Sequence, residues 1–172
     1  MKKGLIKILT LVLSTWTLVF SSCAKNDEIL YNGSVVEWDG ATYNARSSGK
    51  EYTLFTRVPL YGGAVNNNQP LLTRKSGTVK LRVNLVGTHR AAATEISYRV
   101  VDTETTAVAG THYTTDNKVV IPANSSFAEV EVKILDAGAA AGVKTLVLEL
   151  TGNTEILPSN RHKQIGLSIN QQ

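Results

Sequence analysis

The chain has 172 residues, of which 42% are hydrophobic and 19% charged, and its formal net charge is +4 at pH 7. It contains a single cysteine, which excludes both an intrachain disulfide and a metal site built from cysteines alone. Three lysines lie in residues 1–22 with no acidic residue, so residues 23–172 carry 15 basic and 14 acidic side chains, too balanced a charge to predict a nucleic-acid partner.

Residues 1–22 have the pattern of a secretory signal peptide. A basic start is followed by a mostly apolar stretch, residues 4–20, and by two small residues, Ser21 and Ser22. The apolar stretch is interrupted by Lys7, and a membrane-spanning helix needs about 20 consecutive apolar residues. We therefore predict a segment that directs export and is removed afterwards.

Cys23 follows this segment directly, at the end of the stretch "VFSSC". The stretch resembles a bacterial lipobox, although Phe20 stands where leucine is usual. The resemblance implies cleavage between Ser22 and Cys23 and lipidation of Cys23 through its sulfur and its new amino terminus. Because a single acyl chain binds a membrane only marginally, the several chains of a lipoprotein cysteine suit stable anchoring. The alternative is an incidental thiol in an ordinary signal peptide.

Residues 23–34 are predicted to be the lipidated cysteine and a short tether. The sequence "KNDE", residues 25–28, is similar to the export signal, a lysine followed by acidic residues, of Bacteroidota lipoproteins displayed on the cell surface. The similarity predicts a protein anchored in the outer membrane, on the cell surface, with the periplasmic face as the alternative location. A solvated charged tether without any signal is the other interpretation of these residues.

Residues 35–172 are predicted to form one domain, since a chain of this length suits a single core. Apolar and polar residues alternate with period two in six stretches, which indicates half-buried strands. Glycines and Pro158 separate the strands and predict an all-β, antiparallel, immunoglobulin-like β-sandwich of about seven to nine strands. The segment 136–143 reads as a loop with one helical turn. The expected inward-facing residues of the six stretches are Tyr52, Leu54, Thr56, Val58; Val79, Leu81, Val83, Leu85; Ile96, Tyr98, Val100; Val130, Val132, Ile134; Leu146, Leu148, Leu150; Ile165, Leu167 and Ile169.

Two neighbouring stretches, "TAVAGTHYT" (residues 106–114) and "VVIPANSSFAEVEVKILD" (residues 119–136), together resemble a pattern found in Calx-beta-like domains of Bacteroidota lipoproteins of uncharacterised function. The resemblance covers about residues 78–170 and implies a Calx-beta-like sandwich. Its residues also have a structural role, the building of a sandwich corner, and we expect that role rather than a binding site. The matching positions are Ala107, Gly110, His112, Tyr113, Ile121, Pro122, Ala123, Ser125 and Ala128.

Calx-beta domains of the sodium–calcium exchanger type bind calcium through clustered acids at one end of the sandwich. Calcium takes six to eight oxygen ligands, several of them carboxylates. Here Asp102 and Glu104 are near each other and Asp116 is the only further candidate, so we predict no metal site and no cofactor. The histidines stand alone and no nucleophile motif is present, so we predict that the protein is not an enzyme.

The candidate ligand-binding residues lie in the early part of the domain. The loop 61–70 offers Tyr61 beside two glycines, followed by Asn66, Asn67 and Asn68, and Trp38 and Tyr43 could add an aromatic platform. Rings stack on sugar faces and amides bond sugar hydroxyls, and loops on a rigid sandwich are common sites of recognition. The alternative is that the asparagines form a solvated turn and that Trp38 belongs to the core.

These observations predict a non-catalytic lipoprotein of the cell envelope that acts as an accessory binding or scaffold module. Domains of the kind it resembles often accompany glycan-uptake systems, which makes a glycan the leading ligand class. The alternative is a structural protein that pairs with another envelope protein through a sheet edge. A concave surface with exposed rings would favour the first hypothesis, and a long uncovered edge strand the second.

Overall fold

The computed structural model describes residues 33–172, which fold as a sandwich of two five-stranded sheets. The predicted signal peptide, Cys23 and the tether up to residue 32 lie outside the described residues. Within the described part, no helix is long and apolar enough to cross a bilayer. The elements in chain order are β1 (Val35–Trp38), α1 (Asp39–Tyr43), β2 (Thr53–Phe55), β3 (Thr78–Val86), β4 (Thr94–Val100), a 3₁₀ turn (Asp102–Glu104), β5 (Tyr113–Thr115), β6 (Lys118–Ile121), β7 (Phe127–Ile134), β8 (Val143–Gly152), β9 (Leu157–Pro158) and β10 (Gln164–Asn170).

The two sheets confirm the predicted all-β sandwich. Sheet A has the strand order β5-β7-β3-β1-β9 and sheet B the order β2-β10-β8-β4-β6. Most neighbours are antiparallel, but β1 runs parallel to β9 and β2 runs parallel to β10. Residues 33–172 form ten strands rather than seven to nine, because β2, β5 and β9 have only two or three residues, too few for a recognisable alternation.

Alternating burial in the long strands produces the core between the sheets. In β3 every second side chain enters the core, and the side chains between them face outward, as predicted. The pattern continues in β7, which pairs with β3 over seven residues. Burying one such side chain contributes roughly 1.5–3 kcal/mol, so a register slip of one residue would forfeit the whole inner face. The buried residues of these two strands are Val79, Leu81, Val83, Leu85, Ala128, Val130, Val132 and Ile134.

The prediction for β2 was wrong in its inward-facing side chains. Tyr52 and Leu54 share a face, but that face is the outside of sheet B, and Phe55 enters the core instead. The reason is Gly166 in β10, where a Cβ atom would stand 2.7 Å from the Tyr52 ring and 2.9 Å from Leu54. The bare backbone at Gly166 lets these two side chains cover the sheet from outside.

Helical structure occurs in a different place from the one predicted. Segment 136–143 is a loop, as expected, but it has no helical turn, and the Ala140 N–H donates to the Gln171 carbonyl at 3.0 Å. The short helix α1 instead follows β1 directly. Its five residues are too few to show a helical stripe in the sequence.

The Calx-beta-like motif builds a sandwich corner, which confirms its structural role. Tyr113 is buried at the start of β5, and the Gly110 N–H donates to the Tyr113 carbonyl at 2.8 Å. Ala107 is buried as well, and the Ser125 N–H closes a turn on the Pro122 carbonyl at 3.1 Å. The motif therefore shapes the connections of β5 and β6 to β7.

Candidate functional site

A cleft of about 470 Å³ opens at one end of sheet B. One wall is the end of α1 and the segment that follows it, residues 41–46, and the other wall is the turn that precedes β10, residues 161–164. The floor is formed by the start of β2. The side chains that lend the cleft its chemistry are Tyr43, Arg46, Tyr52, Arg161, His162 and Gln164.

The first wall is held in place by side chains that satisfy backbone groups. The Asn44 amide donates to the Gly40 carbonyl at 2.8 Å and so closes the C-terminal end of α1. The Thr53 hydroxyl donates to the Ala45 carbonyl at 2.9 Å, and the Ser47 N–H donates to the Tyr52 carbonyl at 3.0 Å. The wall is therefore tied to β2 rather than left as a free loop.

The second wall is clamped by the core tryptophan. The Trp38 N–H donates to the His162 carbonyl at 2.9 Å, and its indole Nε1–H donates to the Lys163 carbonyl at 3.0 Å. The Leu150 N–H reaches the same Lys163 carbonyl at 2.8 Å. Buried hydrogen bonds of this kind hold a turn in one conformation, so the side chains of this wall start from a fixed backbone.

Tyr43 is the exposed ring of the cleft. The residue is 51% exposed, whereas Asp39, Gly40 and Ala41 of α1 are buried. Tyr52 on the floor is buried, and its hydroxyl donates to Glu104 at 2.9 Å. Burial and the bond to Glu104 raise the pKa of Tyr52, so this hydroxyl stays protonated at neutral pH. The cleft thus joins an exposed aromatic face to a set of polar groups.

Trp38 is not part of an exposed aromatic platform, contrary to the prediction. Its side chain is fully buried, and its ring meets the Tyr98 ring edge-on at a centroid distance of 6.0 Å. β1 lies inside sheet A between β3 and β9, so an inward-facing side chain on it has no route to solvent. Trp38 supports the cleft from behind but cannot touch a ligand in it.

Tyr61 lies elsewhere, against the outer face of sheet A. The Arg82 guanidinium is stacked between two rings, 4.5 Å from the Tyr61 centroid and 4.0 Å from the Phe127 centroid. Burial and a hydrogen bond to Glu129 raise the pKa of Tyr61 to about 12. Tyr61 therefore fastens its loop to the sheet and lines no part of the cleft that holds Tyr43.

Replacing Arg82 with alanine is expected to release the Tyr61 loop. Each cation–π contact at a partly exposed site contributes about 0.5–1 kcal/mol, so the loss from two contacts is roughly 1–2 kcal/mol of unfolding free energy. Hydrogen exchange should accelerate in residues 60–65. Arg82→Lys keeps the charge but loses the planar stacking, so it should show most of the same effect. Unchanged exchange in the alanine variant would contradict this role.

The three asparagines form a turn of their own. The Asn68 N–H donates to the Asn66 side chain at 2.8 Å, and the Gln69 N–H donates to the Asn66 carbonyl at 3.3 Å. The side chains of Asn66, Asn67 and Asn68 are exposed, and none of the three lines the cleft. The structure therefore places only Tyr43, among the predicted ligand-binding residues, at the cleft.

Two carboxylates lie near the second wall, Glu37 in β1 and Asp39 at the start of α1. Asp39 is buried and accepts bonds from the Asn84 amide at 2.7 Å and from the Gly62 N–H at 2.8 Å. Burial raises the pKa of Glu37, the nearby His162 opposes that rise, and the Asp39 charge adds to it. The ionised form of Glu37 is therefore less favourable in the folded protein than in the unfolded chain.

Replacing Glu37 with glutamine is expected to raise the melting temperature slightly at pH 7. The folded-state pKa is above the unfolded one, so ionisation costs stability above that pKa, and the gain from glutamine should vanish below about pH 4. Glu149→Gln is the matched control. Burial raises the pKa of Glu149, but bonds from Arg99 and Lys163 outweigh it and lower the value, so glutamine should destabilise at pH 7. Shifts in melting temperature of the same sign for both variants at pH 7 would contradict this account.

The acidic residues do not fit a calcium site. In residues 33–172 no group of three or more histidine, cysteine, aspartate or glutamate side chains is placed to hold a metal ion. Glu104 is engaged by Lys50 at 2.5 Å, and Asp136 by Arg74 and the Gly138 N–H. Calcium needs several carboxylate oxygens on one centre, and within the described residues Glu104 and Asp136 do not belong to such a group.

The sequence did not predict the basic residues of the cleft, Arg46, Arg161 and His162. His162 stands alone in the sequence, and neither arginine belongs to a recognisable motif. A signal is present in "SNRHKQ", residues 159–164, where three basic residues adjoin with no acidic one. Arg46 could not be joined to them, because only the fold brings residues 41–46 opposite this turn.

The chain folds as a β-sandwich with a polar cleft at one end of a sheet, and its fold is similar to that of Calx-beta domains. The chain belongs to the DUF4843 family, a domain of unknown function, whose profile matches residues 69–168. No curated protein sequence matches the chain. Neither the family nor the structural similarities below indicate an enzyme.

The solved structures that are similar to the chain include the following three. The apo-form Calx CBD1 domain has a TM-score of 0.52 at 10% identity and covers 81% of this chain and 99% of its own. A Bacteroides ovatus protein of unknown function has a TM-score of 0.50 at 11% identity, with 81% and 52% coverage. The calcium binding domain CBD12 of CALX1.1 has a TM-score of 0.47 at 14% identity, with 58% and 40% coverage. This chain thus spans 40% of the CBD12 chain and about half of the Bacteroides ovatus chain.

Proposed function

We propose that the protein is a lipid-anchored, non-catalytic binding module of the cell envelope and that its ligand occupies the cleft beside Tyr43. The cleft itself carries this proposal. It falls within the 300–1,000 Å³ that is typical of small-ligand sites, and it combines an exposed ring with convergent polar groups. Both walls are held by backbone hydrogen bonds, so little ordering entropy is lost on binding.

A glycan is the ligand class that suits these groups. The half-exposed ring of Tyr43 offers a flat apolar face to a sugar ring. The Gln164 amide lines the same cleft and can bond sugar hydroxyls, and the Thr42 hydroxyl, which donates to the Asp39 carbonyl at 2.7 Å, can still accept a bond from one. A ligand with an apolar face and a hydroxyl rim would satisfy both kinds of group at once.

The lengths of the edge strands favour this function over sheet-edge pairing. The outermost strands of the two sheets are β5, β9, β2 and β6, and within the described residues none has more than four residues. β9 also contains Pro158, which cannot donate to a neighbouring strand. Short edges with proline are typical of sheets that avoid pairing with other chains.

The envelope location rests on Cys23, and it has its own test. Metabolic labelling with a fatty acid should label the wild type and leave Cys23→Ser unlabelled. The wild type should fractionate with the outer membrane, and external protease should remove it from intact cells. Equal labelling of the two proteins would contradict the anchor, and protection from protease would favour the periplasmic face.

A glycan array tests the ligand site. The chain from Ala24 to Gln172 keeps the whole described sandwich, whose core residues lie between Val36 and Ile169. Wild type should bind a related set of glycans, and Tyr43→Ala should lose at least about tenfold in affinity, as expected for an aromatic anchor. Tyr61→Ala is the matched control and should bind as wild type does. A blank array, or a loss with Tyr61→Ala alone, would overturn the proposal.

A further inference from the structure

The basic side chains of the cleft are the observation that extends the proposed function. Arg46, Arg161 and His162 line it, and no aspartate or glutamate does. Elsewhere in residues 33–172 some basic side chains are paired, as in Lys80 with Glu129 at 3.0 Å and Lys118 with Glu95 at 2.9 Å, and others, such as Lys75 and Lys133, have no ion pair. The cleft brings three basic side chains together with no acidic side chain in its lining.

The partners of the two arginines leave their positive charge largely intact. Arg46 bonds Glu51, but the Glu51 side chain is 84% exposed, and such surface pairs are weak because solvent screens them. His162 is close enough to Glu37 to influence its pKa, yet Glu37 does not line the cleft. Within residues 33–172, Arg161 has no ion-pair partner.

The turn that carries Arg161 and His162 has a fixed backbone. Trp38 bonds the His162 and Lys163 carbonyls, and Lys163 is further held by its ion pair with Glu149 at 3.2 Å. A guanidinium on such a support presents parallel N–H donors, which match the paired oxygens of a carboxylate or a sulfate. The cleft is thus organised for an anionic group beside the face of Tyr43.

We infer that the ligand is an anionic saccharide, one that bears carboxylate or sulfate groups bound by Arg161 with help from Arg46 and His162. This inference rests on the proposed function, since it names the chemical class of the ligand in the same cleft. The Tyr43 ring and the Gln164 amide contact the neutral part of the sugar. The acidic group lies over the turn that precedes β10.

The test compares charged probes with a matched neutral one. Oligogalacturonate supplies carboxylates, its methyl-esterified form is the neutral counterpart, and carrageenan-derived oligosaccharides supply sulfates without carboxylates. Calorimetry should show at least tenfold tighter binding of one anionic probe than of the ester, with an affinity that falls as salt rises. The anionic probe that binds distinguishes a carboxylate ligand from a sulfate ligand.

Variants assign the effect to the cleft. Arg161→Gln should lose at least tenfold in affinity for the anionic probe with an unchanged melting temperature. Lys75→Gln removes the same charge from the segment beside Asn170, at the far end of β10, and should stay within about twofold of wild type.

Equal binding of ester and acid, or equal loss in both variants, would overturn the inference. If the ester binds and Tyr43→Ala abolishes that binding, the ligand is neutral and the proposed function stands. If no glycan binds, both fail.

Discussion

Replacing Trp38 with alanine is expected to lower the unfolding free energy by about 3–5 kcal/mol, the cost of truncating a large buried aromatic side chain. Trp38 is fully buried, contacts Tyr98 edge-on and donates to the Lys163 carbonyl. For a domain of this size the melting temperature should fall by roughly 10–20 °C. Urea denaturation and thermal melting followed by circular dichroism measure both quantities.

Two variants control this experiment. Trp38→Phe keeps a ring in the core but loses the indole donor, so the loss should be about 1–2 kcal/mol. Tyr43→Ala removes an aromatic side chain that is half exposed on the adjoining helix, and it should change stability by less than about 0.5 kcal/mol. A Trp38→Ala protein that unfolds at the wild-type midpoint would contradict the buried position of this ring.

The second large effect is expected at Gly152, where β8 ends and its register with β4 shifts. Its φ is +72°, a conformation that L side chains rarely adopt, and a Cβ atom there would stand 2.1 Å from the Ile156 carbonyl oxygen. The left-handed conformation alone costs roughly 1–2 kcal/mol. Because the obstacle is backbone and cannot swing away, Gly152→Ala should cost about 3–4 kcal/mol in total.

Gly77 is the matched control for this substitution. Its φ is +67°, and nothing lies within 4 Å of the position that its Cβ would take. Gly77→Ala should therefore show only the conformational part, roughly 1–2 kcal/mol. Equal unfolding free energies for the two variants would mean that the turn after Gly152 moves aside. The Ile156 carbonyl would then not be a fixed obstacle to a Cβ at position 152.

The alternation in β3, β7 and β10 was sufficient to predict the sandwich, because period two is an effect of burial on one face of a strand. The same reasoning failed for β2, where Tyr52 and Leu54 alternate correctly but face outward over Gly166. Alternation shows which residues share a face, but it does not show which face is inside. That choice depends on the neighbouring strand, which β2 meets only through a pairing distant in sequence.

The candidate site could be predicted only in part for a similar reason. Tyr43 was predicted because an aromatic residue is noticeable in a sequence, but it was expected on a strand and lies in α1. Arg161 and His162 are more than one hundred residues away and become its neighbours only when β10 pairs with β2. Trp38 and Tyr61 are aromatic residues like Tyr43. The sequence alone does not show that Trp38 is buried in the core or that Tyr61 packs against Arg82.

The central claim is that the cleft beside Tyr43 is where the ligand binds, and backbone amide NMR tests it most directly. The ¹⁵N-labelled chain from Ala24 to Gln172 is titrated with the tightest-binding glycan of the array. Saturable shifts should concentrate in residues 41–46, 52–53 and 161–164, and they should be absent in Tyr43→Ala. Shifts confined to the loop 61–70 or to the surface around Phe127 would contradict the claim.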